Sequence, residues 1–278
     1  MHRKRGSVSL SEASGIFILF LGALSMVLPF LWMVSTSLKT YNEAFQVPPS
    51  FIPQVPQWGN YTEVLNSVPF GRFYFNSIVT STAITLGQLI TCSMGAYAFA
   101  RLNFKGRDKI FVIYLATLMV PAQVTMIPTF IIVKWLGWID SFKALIIPSI
   151  FSAYGTFLLR QFYMSIPMEL EEAVRIDGGG AYRCFFQIIL PLTKPALATL
   201  GTFVFLFFWN NFLWPLLVTN TTEMFTLPMG IQLFAGRFTA QWHLMMAAST
   251  MAMLPMIVVY LFAQKYFVEG IAMTGLKA

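Results

Sequence analysis

Apolar residues in this chain gather into long runs of about 20, each enough to cross a hydrocarbon core roughly 30 Å thick. Polar residues collect in the gaps between them. Six runs are read as spans: Ile16–Leu38, Phe75–Ala100, Ile110–Lys134, Ala144–Tyr163, Ala196–Thr219 and His243–Phe267. The expected fold class is all-α, a polytopic integral membrane protein of about six transmembrane helices in a single domain, 1–278. Lipid does not tolerate unpaired backbone groups, and the ten-residue alternation of a membrane barrel is missing. One gap stands out. The stretch Glu169–Pro195, "ELEEAVRIDGGGAYRCFFQIILPLTKP", holds four of the eleven acidic residues and has the pattern of polar helices.

Composition strengthens the membrane assignment. The chain is 57% hydrophobic, 16% aromatic and 10% charged, with mean hydropathy +0.68, whereas a soluble domain is about 45–50% apolar and about 25% charged. The net charge of +7 forms no basic face on a soluble module, so no nucleic-acid partner is expected. The partner it implies is the lipid bilayer, because basic residues accumulate in cytoplasmic loops. Thirteen basic residues (Arg3, Lys4, Arg5, Arg101, Lys105, Arg107, Lys109, Arg160, Arg175, Arg183, Lys194, Lys265, Lys277) fall on one side of the six spans. Five (Lys39, Arg72, Lys134, Lys143, Arg237) fall on the other. Both termini and the polar segment are therefore expected in the cytoplasm. The loops Thr40–Tyr74, rich in proline, and Asn220–Trp242 then face outward, as connectors or as contact surfaces. The basic N-terminus resembles a signal peptide, but its apolar run exceeds the usual h-region and no A-x-A site follows, so an uncleaved first span is expected.

Chemistry-bearing constellations are sparse. Two cysteines, Cys92 and Cys184, and two histidines, His2 and His243, make no metal-ligand spacing, so no metal site is expected. No catalytic constellation is present in the sequence, so no catalytic residues are expected and the chain is read as a transport subunit rather than an enzyme. Ion-coupled transporters place a titratable acid inside the membrane, and all eleven acidic residues lie outside the assigned spans. No G-x-x-x-x-G-K-[ST] loop is present, so the chain has no P-loop of its own for ATP. Active transport by this chain would need energy from a partner.

The polar segment has a local logic. Pro167 suits a helix start, and Glu169, Glu171 and Glu172 fill the first turn, where negative charge favours the positive helix end. Leu170, Ala173, Val174 and Asp177 follow i, i+3, i+4, i+7 spacing, and Gly178 offers the positive-φ stop. A second amphipathic helix, Tyr182–Ile189, is expected to end before Pro191. A helix bearing three glutamates would be repelled by anionic lipid, so a cleft in a protein is its expected seat rather than the bilayer surface.

These residues carry a resemblance. "EEAVRIDGGGAYRCFFQIILPLTKP" looks like the EAA motif of ABC-importer permeases: Glu172, Ala173 and Val174 stand at E-A-A, Asp177–Gly178 at D-G, and Ile188, Leu190 and Pro191 at I-x-L-P. Val174 replaces the second alanine and Gly179–Gly180 stand where alanine and a polar residue are usual. The bulkier valine is expected to loosen packing in a cleft, and the extra glycines to make the turn more flexible. "PFLWMVSTSLKT", "NSIVTST", "GAYAFARLNFKG", "WNNFLWPLL" and "EGIAMTGLKA" extend the resemblance to the carbohydrate-uptake group, similar to the smaller permease of the maltose importer.

The resemblance implies the type I ABC importer permease fold, a bacterial inner-membrane location, and a cytoplasmic coupling segment at about 164–195. It implies ATPase coupling through Glu171, Glu172, Ala173, Val174, Asp177 and Gly178. It implies four partners in kind: a second, larger permease, two ATPase subunits, an extracytoplasmic solute-binding protein and lipid. No cofactor is expected on this chain, since ATP and Mg would sit on the ATPase subunits. It also implies that Asn220–Trp242 reaches the binding protein's cleft and that Thr274–Ala278 reaches toward the ATPase interface.

Trp209, Asn210, Asn211 and Trp214 in the fifth span are candidates for a substrate pathway, because amides and aromatics suit sugar hydroxyls and apolar sugar faces. The competing reading is bundle packing. It is favoured slightly, since in the maltose system the larger permease supplies most sugar contacts. Gln88, Thr91, Gln123 and Thr125 are weaker candidates on the same logic. The implied solute is a sugar or sugar-like molecule, with a glycerophosphodiester or polyol as the alternative. A stand-alone channel is the reading from a different class.

Overall fold

The first apolar run folds as α1 (Leu10–Ser37), with Pro29 inside it. It is followed by a single turn, α2 (Tyr41–Ala44), and α3 (Gly59–Ser67). A computed structural model describes residues 10–236 and 240–275, with side chains over 14–236 and 240–265. Its contacts group into two compact units where the sequence suggests one domain: 1–68 with 231–252, and 69–230 with 253–278.

In the first unit the proline-rich loop is tied down. Thr40 caps α2 by accepting the Glu43 N–H. Lys39, only 1% exposed, lies 4.3 Å from the centroid of the Trp32 ring and donates to the Ser50 carbonyl. Asn60 Nδ2 on α3 donates to the carbonyls of Ser37 (2.8 Å) and Lys39 (2.9 Å), so the chain returns to the end of α1.

The second unit opens with α4 (Phe70–Arg101), five residues ahead of the predicted Phe75 start. Then come α5 (Arg107–Ala116), which tightens to a 3₁₀ turn through Met119, α6 (Ala122–Trp135), α7 (Phe142–Ile146) and α8 (Ala153–Met164). The polar segment forms α9 (Glu169–Ile176), α10 (Ala181–Cys184), a π turn (Phe185–Ile189) and α11 (Leu190–Leu192). The chain continues as α12 (Lys194–Trp209), α13 (Leu213–Val218), α14 (Leu227–Gln232) and α15 (Trp242–Gly275). No strand occurs among the described residues.

Among the described residues three helices are long and apolar enough to cross a membrane, or up to six when each bent pair counts as one span. The bends correct three of the predicted runs. Ile110–Lys134 is broken by 98° between α5 and α6, where Pro121 drives Val120 out of the helical region (ψ 116°). Ala144–Tyr163 bends by 43° ahead of α8. Ala196–Thr219 is interrupted after Trp209 and resumes as α13, and the helix that opens it starts at Lys194, after a 75° bend at Thr193. Pro191 also fails to stop its helix. It occupies the first turn of α11 directly after the π turn, so helical backbone runs on to Leu192.

Backbone groups freed at the 43° bend are taken up by α4. Gln88 Nε2 donates to the Ser149 carbonyl (2.7 Å), Thr91 Oγ1 to the Ile150 carbonyl (2.6 Å) and Cys92 Sγ to the Ser152 carbonyl (3.4 Å). Small residues let α4, α8 and α12 approach closely. A Cβ on Gly155 would sit 2.9 Å from Cys92 Sγ, and one on Gly87 2.8 Å from Ile150 Cγ2. Around these contacts lies the main core, with Ile84, Ala96, Leu159, Tyr163, Ile189 and Leu200 at its centre.

Candidate functional site

The polar segment is built onto the end of this core. Four residues after α8 the chain re-enters a helix at Glu169, two residues later than a start at Pro167. Glu172, Ala173 and Asp177 are exposed and Val174 is half-buried against the core. Gly178 stops the helix at φ +76°, and the Gly179 N–H closes the turn on the Val174 carbonyl at 2.8 Å. The glycine run is therefore not slack. A Cβ on Gly179 would fall 2.4 Å from Val174 Cγ1 and 2.9 Å from Arg183 Cδ. Val174 faces the protein's own interior rather than an outside cleft.

Glu171 departs from the sequence reading, which assigns all three glutamates to the helix end. It is completely buried, and its Oε1 lies 3.1 Å from Nε of Arg101, the last residue of α4. The N–H direction makes this an ion pair rather than a well-aimed hydrogen bond. In the sequence Arg101 gives a single signal, a cation closing a long apolar run. With Glu171 turned inward, the outward surface of the segment carries large apolar groups: Leu170 and Phe186, and most openly Ile176 and Tyr182, 86% and 82% exposed.

A second feature lies at the interrupted end of α12. A cavity of about 1000 Å³ is bordered by Gln88, Ser152, Tyr154, Phe203, Phe207, Asn210 and Asn211, with Leu200, Leu206 and Leu213 among the apolar remainder. Asn210 and Asn211 fall at the break, where backbone leaves the helix. Non-helical backbone at membrane depth is stable only inside protein or beside a cavity. Asn210 Nδ2 donates back to the Leu206 carbonyl (2.8 Å) and to Met256 Sδ (3.3 Å); Asn211 Oδ1 accepts the Trp214 N–H at 3.5 Å. The two tryptophans are placed elsewhere. Trp209 is buried, its ring edge-on to Tyr74 and stacked near Phe205. Trp214 Nε1 donates to the Ala144 carbonyl at 3.0 Å, tying α13 to α7. Of the weaker candidates, Gln88 borders the cavity, Thr91 holds the bend, and Gln123 and Thr125 are exposed on α6.

The loop after α13 is stapled at its root. Asp140, at φ 59°, accepts the N–H groups of Asn220 (2.9 Å) and Thr221 (3.0 Å) on Oδ1 and the Thr221 hydroxyl (2.7 Å) on Oδ2. Desolvation pushes this carboxyl up, but the three hydrogen bonds together outweigh it and hold it below the ordinary aspartate value. Asn76 Nδ2 donates to the carbonyls of Glu223 and Phe225, both at 2.8 Å. Within the predicted loop Asn220–Trp242, residues 237–239 lie outside the described residues, as do 276–278 of the predicted C-terminal contact.

A bent helical bundle, a polar helix pair appended to it and a cavity at a helix break match a known pattern. The model of the family described as binding-protein-dependent transport system inner membrane component matches residues 83–273. The chain belongs to this family. It is 38% identical over 263 residues to the sn-glycerol-3-phosphate transport system permease protein UgpE of Yersinia enterocolitica, covering 91% of this chain and 93% of the relative. It is 36% identical over 266 residues to the arabinooligosaccharides transport system permease protein AraQ of Bacillus subtilis, covering 94% of each. In structure it resembles a chain of a bacterial ABC transporter involved in the import of the acidic polysaccharide alginate. The TM-score is 0.83 at 25% identity, over 94% of this chain and 99% of that one. This ABC importer permease is thus an all-α, multi-pass inner membrane component, and segment 169–195, the Asp140 staple and the α12 break all lie inside the matched region.

Proposed function

We propose that this permease lines half of the translocation pathway for an uncharged sugar or oligosaccharide, driven by ATPase subunits that dock on α9. The exposed apolar residues Leu170, Ile176 and Tyr182 carry the docking half of the reading. They stand on an otherwise polar helix pair whose acidic Glu171 is withdrawn, leaving a surface suited to a protein cleft. Both termini and α9 face the cytoplasm, in keeping with the bias of basic residues. ATP and Mg²⁺ reside on two ATPase subunits, and this chain holds no cofactor. A second, larger permease completes the pathway, and an extracytoplasmic binding protein delivers solute to the opposite face. ATP-driven closure of the ATPase pair then moves α9 and switches the cavity between inward and outward access.

The cavity supports the solute class. Its polar border is made of amides and hydroxyls, the rest is aromatic rings and the aliphatic Leu200, Val204, Leu206 and Leu213, and none is charged among the described residues, which suits hydroxyl groups and apolar sugar faces. A phosphate would call for a basic partner. The second reading, a glycerol phosphate, is favoured by the 38% identity to UgpE. Reconstitution of the complete complex separates the two, with ATP hydrolysis measured against binding protein loaded from a panel of neutral oligosaccharides, polyols and sn-glycerol-3-phosphate. Stimulation by a neutral oligosaccharide is the expected result; stimulation by the phosphate alone would transfer the assignment to the second reading.

A further inference from the structure

The buried ion pair between the polar segment and the bundle has a geometry unlike that of a stability device. Arg101 closes α4, and its side chain is 4% exposed; that of Glu171 is 1% exposed. The guanidinium is shared three ways. Nη2 donates to the carbonyls of Tyr163 and Ile166, at the C-terminal end of α8 and in the turn beyond it. Nη1 reaches Met168 Sδ in the link to α9, and Nε faces the Glu171 carboxylate on α9 itself. One side chain thus joins the end of α4, the end of α8 and the first turn of α9. A cation also suits the negative end of α8. Neither Glu171 oxygen receives a conventional hydrogen bond, and among the described residues the guanidinium is the one cation in ion-pair reach of this carboxylate removed from water. Glu171 is held on its backbone side as well, its carbonyl accepting from Cys184 Sγ at 3.9 Å.

A buried ion pair is often no more stable than a well-packed apolar pair of the same volume, and its distinguishing property is direction. The covalent link from α8 to α9 is only the four residues 165–168; Val174 packs against the core, while Leu170, Ala173 and Ile176 on α9 are exposed. A short link of that kind can swivel. A fork anchored on two carbonyls and one carboxylate resists it.

We propose that Arg101 and Glu171 are positioning residues forming the transmission joint of this permease, holding α9 at a set angle to the α4–α8 pair so that movement of α9 passes to the bundle without swivel. The proposal rests on the reading of α9 as the ATPase-docking helix. When the joint is lost, ATPase subunits still dock but their cycle no longer moves the pathway.

The test uses the full complex in proteoliposomes, scoring three quantities: ATPase subunits retained per permease, ATP hydrolysed, and solute taken up. The double variant Arg101→Met with Glu171→Met removes both charges at similar volume and strands neither. It is expected to keep its ATPase subunits while ATP consumed per solute rises on the order of tenfold. A wild-type ratio in this variant overturns the proposal, since the pair would then be packing alone. Loss of the ATPase subunits also overturns it, by making the pair part of docking. If the double variant fails to enter the membrane, Arg101→Lys decides. It keeps the charge but loses the fork, so a rise of about threefold is expected, and an unchanged ratio defeats the joint. Ile176→Asp, on the exposed face, tests the docking reading separately: retention of ATPase subunits and coupled uptake in that variant removes the docking reading whatever the ion-pair variants do.

Discussion

Gly179 packs directly over Val174: a Cβ at Gly179 would come within 2.4 Å of Val174 Cγ1 and 2.9 Å of the Val174 carbonyl oxygen. Relative to the resembled motif, one position gains bulk and the other loses it. Gly179→Ala is expected to lower stability by about 1–3 kcal/mol through overpacking. Val174→Ala in the same chain should recover a large part of that loss, leaving the share due to the carbonyl contact. A double-mutant cycle on thermal unfolding in detergent reads the coupling; strictly additive effects would show that the pair does not interact.

Asp140 makes loop anchoring pH-dependent. Its carboxyl is held below the ordinary value of 3.8. Stability from the Asn220–Thr221 staple is therefore fully present above that ordinary value and is lost as pH falls through the lowered one. Asp140→Asn should flatten the low end of a stability-versus-pH curve measured from pH 3 to 7. Asp140→Ala should cost about 1–3 kcal/mol even at neutral pH, because it unpairs the loop amides and strains a residue at φ 59°. Identical acid limbs in wild type and Asp140→Asn would exclude the staple as their source.

Gln88→Leu leaves the Ser149 carbonyl without the amide that holds it at the bend. The expected cost is about 1–3 kcal/mol for a carbonyl stranded away from water. Gln88→Glu, an acceptor at that position, should be worse. Thermal unfolding of both variants checks the order; a neutral Gln88→Leu would mean that the bend is held elsewhere.

Asn211 borders the cavity and Trp214 does not, so their variants should divide. Asn211→Ala is expected to reduce sugar uptake about 2–10-fold, the range of one lost hydrogen bond, with the ATPase subunits retained. Trp214→Phe, which loses the donor to Ala144, should lower stability by about 1 kcal/mol and leave the solute preference unchanged. The reverse pattern, with preference following Trp214, would return the tryptophan to the pathway.

How far the sequence led depends on whether the cause was local. Six apolar runs and the helix with its Gly178 stop were legible because length, hydropathy and a positive-φ residue are properties of the segment itself. The bends were not. Pro121 marks one, but Pro29, Pro128 and Pro255 lie inside helices that continue, so proline alone does not predict a break. The 43° bend is held by Gln88 and Thr91, about 60 residues away in the chain. Glu171 likewise read as one of three equivalent charges, because its counter-charge, Arg101, lies 70 residues earlier. Within the candidate pathway, Asn210 and Asn211 do meet at one cavity, while Trp209 and Trp214 were drawn into ring packing and a backbone hydrogen bond that composition cannot foresee.

The bend before α8 has a consequence for any transplant of this sequence. Residues 142–164 supply only part of what holds the angle: Ser152 caps α8 and Thr156 grips the Ser152 carbonyl, while the grips on the Ser149 and Ile150 carbonyls belong to α4. Moved into another bundle, the segment would keep its own cap but lose the grips that α4 supplies, and could open its angle. Moved together with Gln88 and Thr91 it would keep its kink, so the unit of inheritance for this shape is a pair of helices, not the helix that is bent.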